Sequence, residues 1–310
     1  MVNKKVKKWA IRSAIIGPSL FLLTPVMVGM ILTHPFRRRT EETPADYGLE
    51  FEEVEFKSKL GQLTLRGWWI PSKSPSNKTV ITAHGYTDER SQKKIKGLDL
   101  VQSLNENGYN VFMFDFRNSG KSEGRHTGIG YYEKHDLESA VDYVIQEKQQ
   151  PNIVLLGWSM GAATSLLVGT EHPKVKGVIA DSPFHDLNDY LNENLSVWSK
   201  LPKKPFTAMI LRSIEHLLKI DPNEVSPIST VKNGKETSYL LIHGKNDKKI
   251  PYRSSELIFE QIPDINDKSL WITEYDHITS FVEEKEVYKS KVLEFLEKTF
   301  ILDEKSQNNE

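Results

Sequence analysis

The chain has no cysteine among its 310 residues, which excludes disulfides, thiolate metal sites and a cysteine nucleophile. It also lacks a dominant charge. Its 41 Lys and Arg against 42 Asp and Glu leave a formal net charge of −1, and no basic stripe with interleaved aromatics appears, so nucleic acid is not an expected partner. No H-E-x-x-H or comparable histidine pair occurs, so no catalytic metal is implied. Gly120-Lys121-Ser122 has the ending of a phosphate-binding P-loop, but Asp115 stands where the first glycine of that loop is required, which argues against a bound nucleotide. Nothing else suggests a cofactor, and none is expected. Internal repeats are absent, and the only biased tract is the polar tail at 303–310. What is present is a 38% share of apolar residues with six tryptophans, ample for a sizeable core.

The most informative stretch is Pro151 to Gly169, PNIVLLGWSMGAATSLLVG. Ile153 to Leu156 form an unbroken β-branched and leucine run, the pattern of a strand buried on both faces of a parallel sheet. Gly157-Trp158-Ser159-Met160-Gly161 then leads into a helix rich in small residues. Strand, tight turn and helix around G-x-S-x-G make a nucleophile elbow. Such a turn presents the serine hydroxyl at the carboxyl end of the sheet and admits no side chain two positions to either side.

A serine hydroxyl needs a base to take its proton and a carboxylate to orient that base. The apolar run Tyr239 to Ile242 leads into His243-Gly244-Lys245-Asn246-Asp247, and Ser269 to Thr273 leads into Glu274-Tyr275-Asp276-His277. Two strand ends thus deliver a carboxylate and an imidazole to one sheet edge, with Asp247 as orienting acid and His277 as general base. The tetrahedral intermediate also needs backbone donors. Met160, directly after the nucleophile, supplies one; Tyr86 in the loop His84-Gly85-Tyr86 is the better candidate for the second, because Gly85 lets the chain turn close to the pocket.

The rest of the chain supplies the frame. Leu49 to Lys57 and Leu63 to Ile70 alternate as an antiparallel hairpin. Strands are predicted at Thr79 to Ala83, Asn110 to Phe114 and Gly177 to Ala180, with helices near Gln92 to Asn107, Tyr132 to Lys148, Ser254 to Gln261 and Phe281 to Phe300. Strands alternating with helices predict an α/β fold, a mostly parallel sheet covered on both faces by helices. At the start, a basic segment at 1–13 precedes the uncharged run AIIGPSLFLLTPVMVGMIL at 14–32. As a helix this run measures about 28 Å, close to the thickness of a bilayer core, and no small-residue cleavage site follows it. It predicts an uncleaved transmembrane anchor, a polar linker at 33–48 and a hydrolase domain at 49–302. The excess of Lys and Arg before the run favours a cytoplasmic N-terminus, hence a cell-membrane protein with its catalytic domain extracytoplasmic.

Together these motifs resemble the serine-type α/β-hydrolase superfamily, and within it a membrane-anchored bacterial branch similar to the Bem46 group. The resemblance runs from Leu49 to Phe300 and includes Asp115-Phe116-Arg117-Asn118-Ser119-Gly120-Lys121-Ser122 and Asp181-Ser182-Pro183. It implies Ser159, Asp247 and His277 as the triad with Tyr86 and Met160 as oxyanion donors. Two positions depart from the family pattern: Asn118 where Gly is usual, acceptable in a left-handed turn, and Asp276 beside His277, an extra carboxylate able to compete with Asp247. The function implied is cofactor-independent cleavage of an ester, thioester or amide through an acyl-serine, with a small-molecule or lipid-like acyl substrate. The alternatives are a noncatalytic membrane-tethered binding module and, among enzymes, a peptidase or acyltransferase. Residues 183–235 exceed what a strand-to-strand connection needs and predict a helical lid. In it Phe206, Met209, Ile210, Ile214, Leu217 and Leu218 recur at helical spacing, either packing on the domain or lining an acyl pocket beside Phe184 and Trp198.

Overall fold

The computed structural model describes residues 21, 23–234 and 237–307. Its strands are β1 (Glu52–Lys57), β2 (Thr64–Ile70), β3 (Lys78–Ala83), β4 (Asn110–Phe114), β5 (Asn152–Trp158), β6 (Val175–Asp181), β7 (Ser238–Gly244) and β8 (Lys268–Thr273). They form one sheet in the order β1-β2-β4-β3-β5-β6-β7-β8. The hairpin β1/β2 is antiparallel and β2 runs antiparallel to β4. From β4 onward every pairing is parallel. Sequence reflects strand position: β4 and β7 are buried along their whole length and carry the apolar runs Val111–Phe114 and Tyr239–Ile242, whereas the edge strand β1 alternates between buried and exposed residues along its second half.

Helices cover both faces. They are α1 (23–33), α2 (Gly97–Glu106), α3 (Glu133–Gln146), α4 (Met160–Glu171), α5 (Leu187–Ser199), α6 (Lys203–Leu218), α7 (Pro227–Thr230), α8 (Arg253–Gln261), α9 (Ser280–Glu283) and α10 (Lys285–Gln307). One buried cluster lies under α3, α4 and α8 and extends into α5 and α6. The other joins α2 and α10 to the opposite face of the sheet. The strands sought between Thr79 and Thr273 are all present. The helix expected from Gln92 starts only at Gly97, because Gln92 and Lys96 both adopt left-handed backbone, with φ of 49° and 54°. The expected helix from Phe281 is broken at Glu284, whose φ of −127° and ψ of 55° are not helical, and its second part continues to Gln307 through most of the polar tail. Between β6 and β7 the insertion carries α5, α6 and α7, a lid-like helical addition to an α/β-hydrolase fold.

The N-terminal expectation is overturned. Among the described residues no helix is long and apolar enough to cross a membrane. This removes the transmembrane anchor at 14–32, the membrane as a partner, the cell-membrane localisation with an extracytoplasmic domain, and the reason for placing the chain in a membrane-anchored branch. The basic segment at 1–13 and the first part of the run, residues 14–20 and 22, lie outside the described residues. The described remainder is α1, which turns one face to the protein and leaves Leu23, Met27, Met30 and Ile31 exposed. Val28 and Leu32 pack on the main core. Gly29 meets α6 so closely that a Cβ there would lie 3.2 Å from Ile214 Cγ1. Thr33 is fully buried, its carbonyl accepts from the Thr127 amide at 2.8 Å, and the Tyr86 hydroxyl donates to Leu32 O at 2.6 Å.

Candidate active site

Ser159 follows β5 and is held with φ 55° and ψ −118°, a strained conformation for a residue bearing a Cβ. The flanking glycines are steric requirements. A Cβ on Gly157 would lie 2.3 Å from Gly161 O, and one on Gly161 would lie 2.0 Å from Ala83 O. The Ser159 amide is tied across the sheet to Asp181 O at 2.8 Å. Its side chain therefore points from a rigid corner at the carboxyl edge, where the loops after β7 and β8 also arrive.

Those loops complete a relay. His277 Nε2 lies 3.0 Å from Ser159 Oγ, and His277 Nδ1 lies 2.6 Å from Asp247 Oδ2. A carboxylate can only accept, so Nδ1 carries the proton and Nε2 is left with a lone pair facing the hydroxyl. Asp247 accepts three further bonds: from His243 Nε2 at 3.2 Å, from the Lys249 amide at 2.7 Å and from the Ile250 amide at 2.9 Å. Burial pushes this carboxyl up, yet the bonds from His243 and His277 outweigh burial and hold it well below the usual carboxylate range. It is therefore charged whenever the imidazole must be oriented.

Asp276 is not part of the relay. Its Oδ1 accepts from the His277 amide at 2.7 Å and the Lys248 amide at 3.2 Å, so it caps the loop backbone and leaves the ring to Asp247. Those backbone bonds lower its pKa. Asn118 stands in the left-handed region at φ 57°, the conformation its substitution for glycine requires. Two supports escaped sequence reasoning. His243 is fully buried, and Nε2 faces both Asp247 and Ile250 O (2.9 Å) while Nδ1 faces Ser255 Oγ at 2.7 Å; its position near the end of β7, four residues before Asp247, was the available signal. Asp181 is also fully buried, bonded by Ser182 Oγ at 2.9 Å and Tyr288 OH at 3.1 Å, while Ser182 Oγ accepts from the Ile278 amide beside the histidine at 3.4 Å. Burial pushes Asp181 up to about 6, against the pull of Ser182 and His243.

The relay opens into a cavity of about 350 Å³ shared by Ser159, Met160, His277 and Tyr86. Gly85 brings the Tyr86 loop close: a Cβ on Gly85 would lie only 3.6 Å from Ser159 Cβ. Met160 opens α4, so its amide has no acceptor within the helix. The wall is apolar and comes from Phe184, Tyr190, Leu191 and Trp198 of the insertion, with Leu32 of α1 on another side. Ile210 and Ile214 do not line it; both are buried in the core cluster that α5 and α6 share, with Ile214 against Gly29 of α1, so this helix takes the packing role of the two expected for it. Among the described residues, Lys249 is the one permanently charged side chain on the wall.

A second serine and carboxylate pair lies elsewhere. Ser58 Oγ donates to Asp136 Oδ1 at 2.6 Å, but both are fully buried and Asp136 is shared with Arg117 at 2.7 Å. With a guanidinium where a base would be needed, this pair locks the β1/β2 hairpin to α3. Metal-ligand clusters of three or more His, Asp or Glu are absent among the described residues.

The family model described as serine aminopeptidase, S33, matches residues 74–233. The protein YqkD of Bacillus subtilis (strain 168) is 30% identical over 300 residues, covering 89% of this chain and 94% of the relative. The chain belongs to the serine aminopeptidase S33 family. Within the α/β-hydrolase superfamily it is also similar to a carboxylesterase of Bacillus subtilis, 25% identical over 72% of this chain and 93% of that one. Among solved structures it is similar to the Pyrococcus furiosus esterase Pf2001, with a TM-score of 0.72 and 28% identity over 86% of this chain and 98% of that chain. The chain is thus a serine-hydrolase-type α/β-hydrolase, and the family places it there without reference to a membrane anchor.

Proposed function

We propose that the protein is a serine esterase that cleaves carboxylic esters of apolar acyl groups through an acyl-Ser159 intermediate. The observation that carries this reading is the unbroken relay from Asp247 through His277 to Ser159, at 2.6 and 3.0 Å, opening on an apolar cavity. Ser159 Oγ attacks the acyl carbon while His277 Nε2 takes its proton. The resulting oxyanion is held by the Tyr86 and Met160 amides. Collapse breaks the bond to the alkoxy group, which leaves with the proton from His277; water, activated by the same ring, then releases the acid and restores Ser159. Asp247 orients the imidazole and balances its charge after the proton is taken.

The family description raises the alternative of an aminopeptidase. Such an enzyme must hold the free α-ammonium of its substrate, which calls for a carboxylate in the pocket. Among the described residues the wall carries no carboxylate, and its charged side chain is Lys249, so the ester reading is favoured. Two substrate sets test this: p-nitrophenyl acyl esters and aminoacyl p-nitroanilides. Turnover of the esters, abolished by Ser159→Ala, is expected, with the anilides left intact. Preferential cleavage of the anilides would replace the reading.

A further inference from the structure

We propose that Leu32, carried by the segment before the hydrolase domain, is a specificity-determining residue that sets the length of acyl chain the site admits. The proposal rests on the reading of Ser159 as the acyl acceptor. Leu32 lines the same cavity as Ser159 and His277, yet five strands of the sheet separate it in sequence from Ser159 and all eight from His277. Its place is fixed on each side. The Tyr86 hydroxyl, which burial pushes up to about 12 and so keeps protonated, donates to Leu32 O at 2.6 Å. The next carbonyl, Thr33 O, accepts from the Thr127 amide at 2.8 Å, and the Thr33 side chain is sealed from solvent. Further on, Arg37 donates to Ser122 O at 2.7 Å and to Gly124 O. Upstream, Gly29 allows α1 to lie against Ile214 of α6 at a separation no larger residue would permit without displacement. A side chain held by this many backbone anchors is a wall and not a flap.

The Tyr86 bond also ties this wall to the reaction. The residue whose amide serves the oxyanion holds Leu32 through its phenol, so one residue faces the reacting carbonyl and positions the wall that the acyl chain meets. A wall of this kind discriminates by volume. Trimming Leu32 to alanine removes three carbon atoms from the lining and makes room for a longer acyl chain, and one methylene accommodated or rejected in an apolar pocket is worth about ten-fold or more in kcat/KM.

The test uses the full chain and p-nitrophenyl esters from acetyl to dodecanoyl, with wild type, Leu32→Ala and Leu32→Trp compared by the ratio of kcat/KM for long over short esters. The expected result is a ratio raised about ten-fold or more in Leu32→Ala and lowered by a similar factor in Leu32→Trp. Opposite shifts cannot come from loss of folded protein, which scales both esters alike. A ratio left at the wild-type value by both variants, or moved the same way by both, overturns the proposal while the esterase reading stands. A wild type that turns over no ester of any length overturns the esterase reading, and this proposal with it.

Discussion

Replacing Asp247 by asparagine should nearly silence the enzyme, and the hydrogen bonds around it say why. Oδ2 accepts from His277 and His243, and Oδ1 from the Lys249 and Ile250 amides. All four partners donate, so an amide has no satisfactory orientation. With its oxygen toward the histidines, its NH₂ meets two backbone N–H groups. With its oxygen toward the backbone, its NH₂ faces His277 Nδ1, which must then become the acceptor. The proton moves to Nε2 and the ring can no longer take one from Ser159 Oγ. The expected loss in kcat is about 10⁴, or some 5 kcal/mol of transition-state stabilisation. Asp276→Asn is the matched control, because an asparagine oxygen can still accept from the His277 and Lys248 amides; its effect should stay within about 0.5 kcal/mol, as for an ordinary surface substitution. Steady-state ester hydrolysis by both variants, with circular dichroism to confirm folding, decides between them. A greater loss in Asp276→Asn than in Asp247→Asn would refute the assignment of the acid.

Three further outcomes follow from the same structure. Asp181, raised by burial from 3.8 to about 6, keeps its proton in the folded chain after the unfolded chain has released its own, so stability should fall by roughly 3 kcal/mol as pH rises from about 4 to 6; urea titrations across that range should show the fall in wild type and a flatter curve in Asp181→Asn. Gly161→Ala drives a Cβ to 2.0 Å from Ala83 O and 2.6 Å from His84 O, and should cost about 3 kcal/mol or more in stability while abolishing turnover, since backbone must shift at the elbow itself; a variant that denatures like wild type would contradict the packing described. Ser58→Ala removes a donor to Asp136 and should cost about 1–3 kcal/mol in stability while leaving the ester kcat of the folded protein unchanged, a result read from parallel denaturation and activity assays.

Much of this arrangement was legible in the sequence because its residues sit at strand ends. Buried parallel strands read as continuous apolar runs, so the residues following β5, β7 and β8 could be located, and the glycines at 157 and 161 identify the elbow through sterics alone. The supports were less legible. His243 offered only its spacing from Asp247 as a signal, and Asp181, bonded by Tyr288 from a distant helix, carries no local pattern that distinguishes it from any other polar residue at a strand end. The insertion was foreseen from its length, but helical spacing alone left two roles open for Ile210 and Ile214; both are buried in the core cluster, and it is Phe184 and Trp198, expected beside an acyl pocket, that line the cavity. The greatest departure concerns the apolar run before the domain. Length and hydropathy describe a run of residues and not what it touches, and the contacts of Gly29 with the insertion, of Leu32 with Tyr86 and of Thr33 with Thr127 are invisible until the fold is known.

The central claim, that Ser159 is the residue that takes the acyl group, is most directly tested by reacting the full chain with an alkyl fluorophosphonate and mapping the adduct by peptide mass. The account predicts a single stoichiometric modification on the peptide containing Ser159, absent in Ser159→Ala and slowed by several orders of magnitude in Asp247→Asn. An adduct on Ser58 or another serine, or a folded chain that takes up no label, would contradict it.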